Sequence, residues 1–440
     1  MRAWTLSHAR WAPVVVLVGL SLWALELQAS LSEYLGDAGP AVNALVAGHI
    51  RRFLTVQPLM GSFSVLVRAP FALAAKLGGG GELAEYRAGV LVCALAAAAV
   101  GVWLVRLRQV PPSSLLLVPV LAILTPGSVQ AVHDGHPEEI LGGALCVAAV
   151  LLAPRRAVWA GVVLGLAIAT KQWAVVAVPP VFLAAPRGRR VRLVLVAAGI
   201  AALLTLPFLT ANPSTFVHRS HQASVAPAST VRATVWFLGA RATRVPLHLG
   251  AGLPTSFTVY RIPSLLAQAT HPLIVLLAPL LGFFVWRRRG DPLALLALLL
   301  LLRCVLDPGD NEYYHAPFLL ALLAWETVRG RDLRGVPLVT LLACGGLWLT
   351  FRMDTAGAAP ALTNGVYLLW TAAVAVALLS ACGLLRRPAP QPPGGPVETP
   401  SSGASWVPGQ APHSPLPAAF AASASRINVS AYSPRTDSKK

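Results

Sequence analysis

Charge is what this 440-residue sequence has least of. Only 12% of its residues are Asp, Glu, Lys or Arg, and just 17 of them are acids. Soluble domains carry roughly 25% charge, so half that amount excludes an ordinary cytoplasmic or secreted globular protein. Disorder over most of the chain is excluded too, because 56% of the residues are hydrophobic and disorder needs a chain too polar to bury itself. Cysteine is scarce. Cys93, Cys146, Cys304, Cys344 and Cys382 all lie in apolar runs. Their odd number and lack of metal-ligand spacing exclude a disulfide framework or zinc-finger site and leave small core residues. A Walker motif, a GxGxxG turn after a strand, HExxH and GxSxG are also missing, which argues against ATP-driven transport encoded in this chain.

Long apolar runs are what the chain does have, and its mean hydropathy is +0.66. A spanning helix needs about 20 mostly apolar residues, and lipid admits only helices or a closed barrel. The runs are continuous and rich in Leu, Ala and Val, so helices are expected. They fall at 11–30, 86–105, 113–131, 138–153, 157–170, 172–186, 193–210, 265–286, 292–306, 314–328, 335–351 and 365–385. The expectation is an all-α, polytopic integral membrane protein with about twelve transmembrane helices. Arg2 and Arg10 before Trp11–Leu27 imitate a signal peptide, but the many later apolar segments favour an uncleaved first span.

The charges sum to +18, which in a soluble protein would point to nucleic acid. Here the basic residues cluster at helix ends: Arg106 and Arg108; Arg155 and Arg156; Arg187, Arg189, Arg190 and Arg192; Arg287 to Arg289; Arg329, Arg331 and Arg334; Arg386 and Arg387. With twelve crossings every cluster falls on one side, together with Arg2 and Arg10. Positive-inside bias makes that side the cytoplasm of a plasma-membrane protein, with both termini inside. The short interval between Arg156 and Arg187 then requires two short helices turning near Thr170-Lys171-Gln172. A single tilted helix there would put Arg287–Arg289 outside. Residues 388–440 turn abruptly to Pro, Ser, Ala and Gly and read as a disordered cytoplasmic tail.

On this topology the acids and histidines gather in the outer loops. Loop 31–85 carries Glu33, Asp37, Arg68 and Lys76. Val42, Leu45, Val46 and Ile50 suggest an interfacial amphipathic helix there, and Phe63–Leu77 suggests a second piece broken at Pro70. The next outer turn is dense: His133, Asp134, Gly135, His136, Pro137, Glu138 and Glu139. It reads either as a solvated turn whose glutamates favour a helix N-terminus, or as a site. A divalent cation on His133, Asp134, His136 and Glu139 is chemically open. Loop 211–262 has His218, Arg219, His221, Arg232, Arg241, Arg244 and Arg261 and no acid, which suits phosphate or anionic headgroups as well as plain solvation. The last cluster is Asp307, Asp310, Asn311, Glu312, Tyr313, Tyr314 and His315, with Arg303 one turn inside and able to pair with its acids. Dense donors and acceptors beside flat rings suit carbohydrate, though Tyr and His also populate interfacial belts.

Three features resemble the GT-C superfamily of membrane glycosyltransferases. They are most similar to its polyprenyl-phosphate-mannose-dependent α-mannosyltransferases, also described as domain of unknown function 2029. The features are Gly36-Asp37-Ala38-Gly39-Pro40 running to Ala47-Gly48-His49; Ala160-Gly161-Val162-Val163-Leu164-Gly165 leading to Ala169-Thr170-Lys171 and Pro179; and Glu312-Tyr313-Tyr314-His315-Ala316-Pro317. The resemblance covers about residues 11–385. It implies a polyprenyl phosphate sugar donor, a lipid or cell-envelope glycan acceptor on the outer face, and transfer of a hexose with inversion. It also implies a general base in the first outer loop, here Asp37 with Glu33 as rival. Lys171, Arg219 and Arg261 would meet the donor phosphate, with Arg303 a lesser candidate. Glu33, His133, Asp134, His136, Glu139, Asp310, Glu312, Tyr313, Tyr314 and His315 would bind sugar or acceptor. No cofactor is specified, a divalent cation stays open, and nucleic acid is not expected as a partner. The chain departs from the family at 134–139, where Gly-Gln and Asn are usual. Two other readings use the same residues: a secondary transporter with proton-relaying His and acid clusters, and a non-catalytic envelope-assembly protein.

Overall fold

Apolar stretches without an internal breaker fold as helices, because that geometry satisfies every backbone group within the segment. The computed structural model describes residues 31–56, 61–108, 114–224, 226, 228–248, 254–330 and 336–385. The expected first span 11–30, the tail 388–440, and Arg2, Arg10, Arg331, Arg334, Arg386 and Arg387 lie outside these residues.

Among the described residues three short helices come first, α1 (Leu31–Gly36), α2 (Gly39–Val46) and α3 (Ile50–Thr55), followed by α4 (Ser62–Leu77) and α5 (Glu82–Arg108). Next are α6 (Ser114–Ile123), α7 (Pro126–His133), α8 (Glu138–Leu152) and α9 (Ala157–Thr170). A 3-10 segment (Gln172–Ala177) leads into α10 (Val178–Ala184), and then come α11 (Arg190–Ala211) and α12 (Pro213–Ser224). Three strands, β1 (Ser229–Thr230), β2 (Arg241–His248) and β3 (Pro254–Arg261), precede α13 (Ser264–Arg288) and α14 (Pro292–Leu306). A 3-10 turn (Glu312–His315) then opens α15 (Ala316–Arg329), followed by α16 (Leu338–Thr355) and α17 (Pro360–Ala381).

Among the described residues five stretches are long and apolar enough to cross a membrane: Glu82–Arg108, Leu116–His133, Arg187–Ala211, Ser264–Arg288 and Pro360–Ala381. Shorter apolar helices cover Ala157–Thr170, Gln172–Ala184 and Pro292–Leu306. Burial sorts them. Leu295–Leu301 of α14 and Phe318–Trp325 of α15 are buried on all sides, as expected of central helices. By contrast α11 and α13 turn Leu195, Leu203, Leu276 and Leu280 outward. Apolar side chains displayed outward along whole helices are stable only against lipid, and this is an integral membrane protein.

Several local expectations change. The run 113–131 is two helices, because Pro126 cannot donate a backbone N–H and Thr125 Oγ1 caps the new start by accepting from Ser128 N at 3.2 Å. Ser62–Leu77 is continuous through Pro70 rather than broken there. The amphipathic piece at 42–50 is split between α2 and α3, with Gly48 at φ +72 in the intervening turn. Within loop 211–262 the chain builds a small antiparallel sheet of order β1-β3-β2, with β2 and β3 paired from Arg241↔Arg261 to His248↔Pro254. Thr243, Val245, Phe257, Val259 and Tyr260 are strand formers, and no helical period competes with them.

The expected hairpin is present. Lys171 is extended (φ −149, ψ 133) and ends α9, after which the chain returns through Gln172–Ala184. The 14 residues of α9 give an arm of about 21 Å, short of the ~30 Å hydrocarbon core.

Hydrogen bonds bring the polar loops to one end of the bundle. Gly61 N donates to Thr170 O at 2.9 Å, and Val231 N to Pro308 O at 3.0 Å. Trp236 Nε1 donates to Leu306 O at 2.6 Å, and Arg232 pairs with Asp354. A Cβ on Gly61 would fall 2.0 Å from Ala169 O, so only glycine lets the start of α4 touch the hairpin tip. Arginines mark the other end, where Arg108 Nε caps Thr327 O and Val328 O at 3.0 and 2.7 Å and Arg329 pairs with Asp291.

Candidate functional site

The site begins with the turn between α7 and α8. Gly135 has φ +94, and a Cβ there would meet Tyr34 N at 2.9 Å. The glycine therefore supplies both the left-handed turn and the close approach of α1. That approach lets Glu33 reach the next residue. His136 Nε2 lies 2.7 Å from Glu33 Oε2, and Nδ1 lies 3.0 Å from Glu138 Oε1. An imidazole with a carboxylate on each nitrogen is satisfied as the doubly protonated cation. Burial pulls the pKa of His136 down, but the bonds to Glu138 and Glu33 outweigh it and the net direction is up. Tyr313 stacks on this ring at 4.6 Å.

Glu138 and Glu139 open α8 and are both fully buried, so the solvated-turn reading does not hold for them. Burial forces complete pairing, because an uncompensated buried carboxylate is strongly unfavourable. Glu138 meets Arg68 NH1 at 3.5 Å and Lys171 Nζ at 3.2 Å. Glu139 meets Lys171 Nζ at 3.5 Å and Arg303 NH2 at 3.3 Å. The Arg303 guanidinium lies over Trp173 and Tyr314, 4.7 and 4.5 Å from the ring centroids. Arg303 was expected to pair with the 307–315 acids; it pairs with Glu139 because α14 packs beside α8 at that depth.

Asp37, half-buried between α1 and α2, acts electrostatically on Lys171. The first-loop acid and the hairpin cation therefore share one neighbourhood. Arg219 and Arg261 do not join it. Arg219 donates to Gln222 on its own helix at 3.2 Å, and Arg261 is exposed at the end of β3.

The second polar turn splits by side. Asp310 and His315 are buried, with Asp310 Oδ2 accepting from Tyr367 OH at 3.2 Å and lying 3.5 Å from His315 Nε2. They brace the turn from within. Asp307 pairs with His271 at 3.2 Å. Cys304, Asp310 and His315 each bring a ligand atom within 4.8 Å of the others, the metal-capable group among the described residues. The quartet His133, Asp134, His136 and Glu139 does not converge. Asp134 is held by Gln130 and by the exposed His133, while His136 and Glu139 are engaged elsewhere.

Glu312 is the half-buried acid of this turn, within electrostatic reach of Asp134. Burial and then Asp134 push its carboxyl from 4.5 up to about 7, against Arg352. A protonated acid beside a carboxylate offers a donor and an acceptor to one hydroxyl. Between pH 4.5 and 7 the folded protein keeps a proton on Glu312 that the unfolded chain releases. Its contribution to stability is therefore full below the lower value and is lost as pH rises through the upper one. Infrared titration is expected to show a carboxylic-acid carbonyl band fading near pH 7 and absent in Glu312→Gln. An unchanged band in that variant would assign the proton elsewhere.

Sequence reasoning named Arg68 and Glu138 in the outer loops but gave neither a role in the site, though they are the most fully enclosed pair of the network. Arg68 did leave a signal. It is the lone cation inside Phe63–Pro70, and an ionisable residue in an apolar helix implies a buried partner.

A family model described as "Glycosyltransferase family 87" matches residues 61–308. That range holds Arg68, the 133–139 turn, Lys171 and Arg303, while Asp37 and residues 310–315 lie outside it. No curated protein matches the chain. Among solved structures, the crystal structure of ArnT from Cupriavidus metallidurans bound to undecaprenyl phosphate is similar at 15% identity. It covers 86% of this chain and 77% of that one, with a TM-score of 0.45.

Proposed function

The chain belongs to glycosyltransferase family 87, and from that premise we propose that it transfers a hexose, with mannose as first choice. The donor is a polyprenyl phosphate sugar, and the acceptor is a lipid or cell-envelope glycan on the outer face of the plasma membrane. Asp37 takes the proton of the acceptor hydroxyl. The freed oxygen attacks the anomeric carbon from the side opposite the phosphate. The carbon–oxygen bond to phosphate breaks, and polyprenyl phosphate leaves with the electron pair, so configuration inverts.

One observation carries this reading: a half-buried acid stands in the field of the hairpin cation, Lys171. The neighbouring acids are less suited to act as base. Glu138 and Glu139 are buried against cations, and Glu33 already accepts from His136. Lys171, on which Asp37 acts electrostatically, is assigned to the leaving phosphate, whose developing charge it stabilises. Glu33, His133, Asp134 and Glu312, with the rings of Tyr313 and Tyr314, are assigned to sugar or acceptor hydroxyls. Arg219 and Arg261 stay outside the reacting centre.

The test offers purified protein a panel of polyprenyl phosphate sugars together with a membrane lipid extract. Consumption of one donor with release of polyprenyl phosphate is the expected result. Intact donors throughout, with folded protein, would overturn the proposal.

A further inference from the structure

A cavity of about 450 Å³ opens at the arginine end of the bundle, where α10, α11, α13 and α14 meet. Arg187, Arg190, Arg287 and Arg289 line it, together with Leu183 and Trp286. It is remote from the glutamate cluster. Pro292 at its edge and Arg303 in the cluster are eleven residues apart on α14, about 16 Å along the helix axis.

Four guanidinium groups around one cavity repel each other unless an anion answers them. No carboxylate lines the cavity among the described residues, and the nearest acid in sequence, Asp291, is committed to Arg329. Two of the four guanidiniums are nonetheless held in place. Arg190 donates to Ala185 O at 3.1 Å and to Leu183 O at 3.3 Å, and lies over Phe182 at 5.0 Å. Arg287 lies over Phe283 at 5.0 Å. Fixed guanidinium forks match phosphate oxygens two at a time. The helices flanking the cavity display Leu195, Leu276, Leu280 and Phe284 outward, so an apolar track runs from the cationic mouth. A soluble anion has no use for that track, whereas acyl chains do.

We propose that this cavity is a binding site for the phosphate of an anionic membrane lipid, with the lipid's chains lying along α11 and α13. The site is separate from the transfer chemistry and stands whether or not the proposed donor is correct.

The experiment measures thermal unfolding of the purified full-length protein with added short-chain phosphatidic acid, phosphatidylcholine or inorganic phosphate. Phosphatidic acid is expected to stabilise at concentrations where the other two do not. Arg187→Gln/Arg287→Gln is expected to weaken that response about 10-fold or more, the loss of at least one charge-assisted contact. Arg155→Gln/Arg156→Gln, at exposed arginines of another helix end, should respond like the wild type. Equal weakening in both variants would reduce the effect to general surface charge and overturn the site. An equal response to inorganic phosphate would overturn the lipid as ligand, and no response to any would overturn both. If the double variant fails to fold, each single substitution is tested. Native mass spectrometry of the wild type must then show a co-purified anionic lipid that the single variants lose.

Discussion

Asp37→Asn is expected to reduce transfer by roughly 10²–10⁴-fold, the usual contribution of a positioned general base, while leaving the fold intact. The substitution keeps shape and hydrogen-bonding capacity and removes only the site that accepts the proton. Asp37 is half-buried, and its backbone N–H bonds Glu33 O at 3.0 Å, a turn contact made without the carboxylate. The loss should fall on kcat with little change in KM, because proton transfer belongs to the transition state. Initial rates over a donor series check this, with thermal unfolding in parallel. Glu33→Gln is the comparison. Its carboxylate already serves His136, so it should lose less. Wild-type turnover by Asp37→Asn would remove Asp37 as base, and a larger loss in Glu33→Gln would transfer the role there.

Glu138→Gln is expected to destabilise the protein by about 3–5 kcal/mol, the cost of leaving a buried charge without its counter-ion. Glu138 has Arg68, Lys171 and His136 around it. Lys171 keeps Glu139 and His136 keeps Glu33. Arg68 keeps no carboxylate; it is 1% exposed and its Nε and NH2 lack hydrogen-bond partners. The stranded guanidinium carries the penalty, so Arg68→Met/Glu138→Gln should recover a large part of it. Equilibrium unfolding of the two single variants and the double variant measures the coupling. Additive effects, with no recovery in the double variant, would show that Arg68 and Glu138 are energetically independent.

Most of the long helical segments could be read from the sequence because they leave a local trace, an apolar run with arginines near one end. The hairpin tip at Lys171 could be read for the same reason, since Arg156 and Arg187 bracket too few residues for two full spans. The network around Glu138 and Glu139 could not. Arg68 is 70 residues from Glu138, and Arg303 is 164 residues from Glu139. Helix packing makes those pairs, and no local pattern records them. The 307–315 turn hid its division for a different reason. Partners from a distant helix set it: Tyr367 holds Asp310 and His315 inside, while Glu312 stays half out. The sheet of loop 211–262 was obscured because its basic residues drew attention to charge, while Thr, Val, Phe and Tyr set the backbone.

The short hairpin arms bear on the membrane itself. Gln172–Ala184 comprises 6 residues of 3-10 helix and 7 of α-helix, about 22 Å in all, close to the length of α9. Two adjacent arms that fall short of the hydrocarbon thickness are matched when the bilayer thins around them. The headgroup plane at the hairpin tip would then dip toward Lys171, forming a basin in the membrane surface. A phosphate carried by a lipid of that leaflet would come level with Lys171 without being lifted out of it.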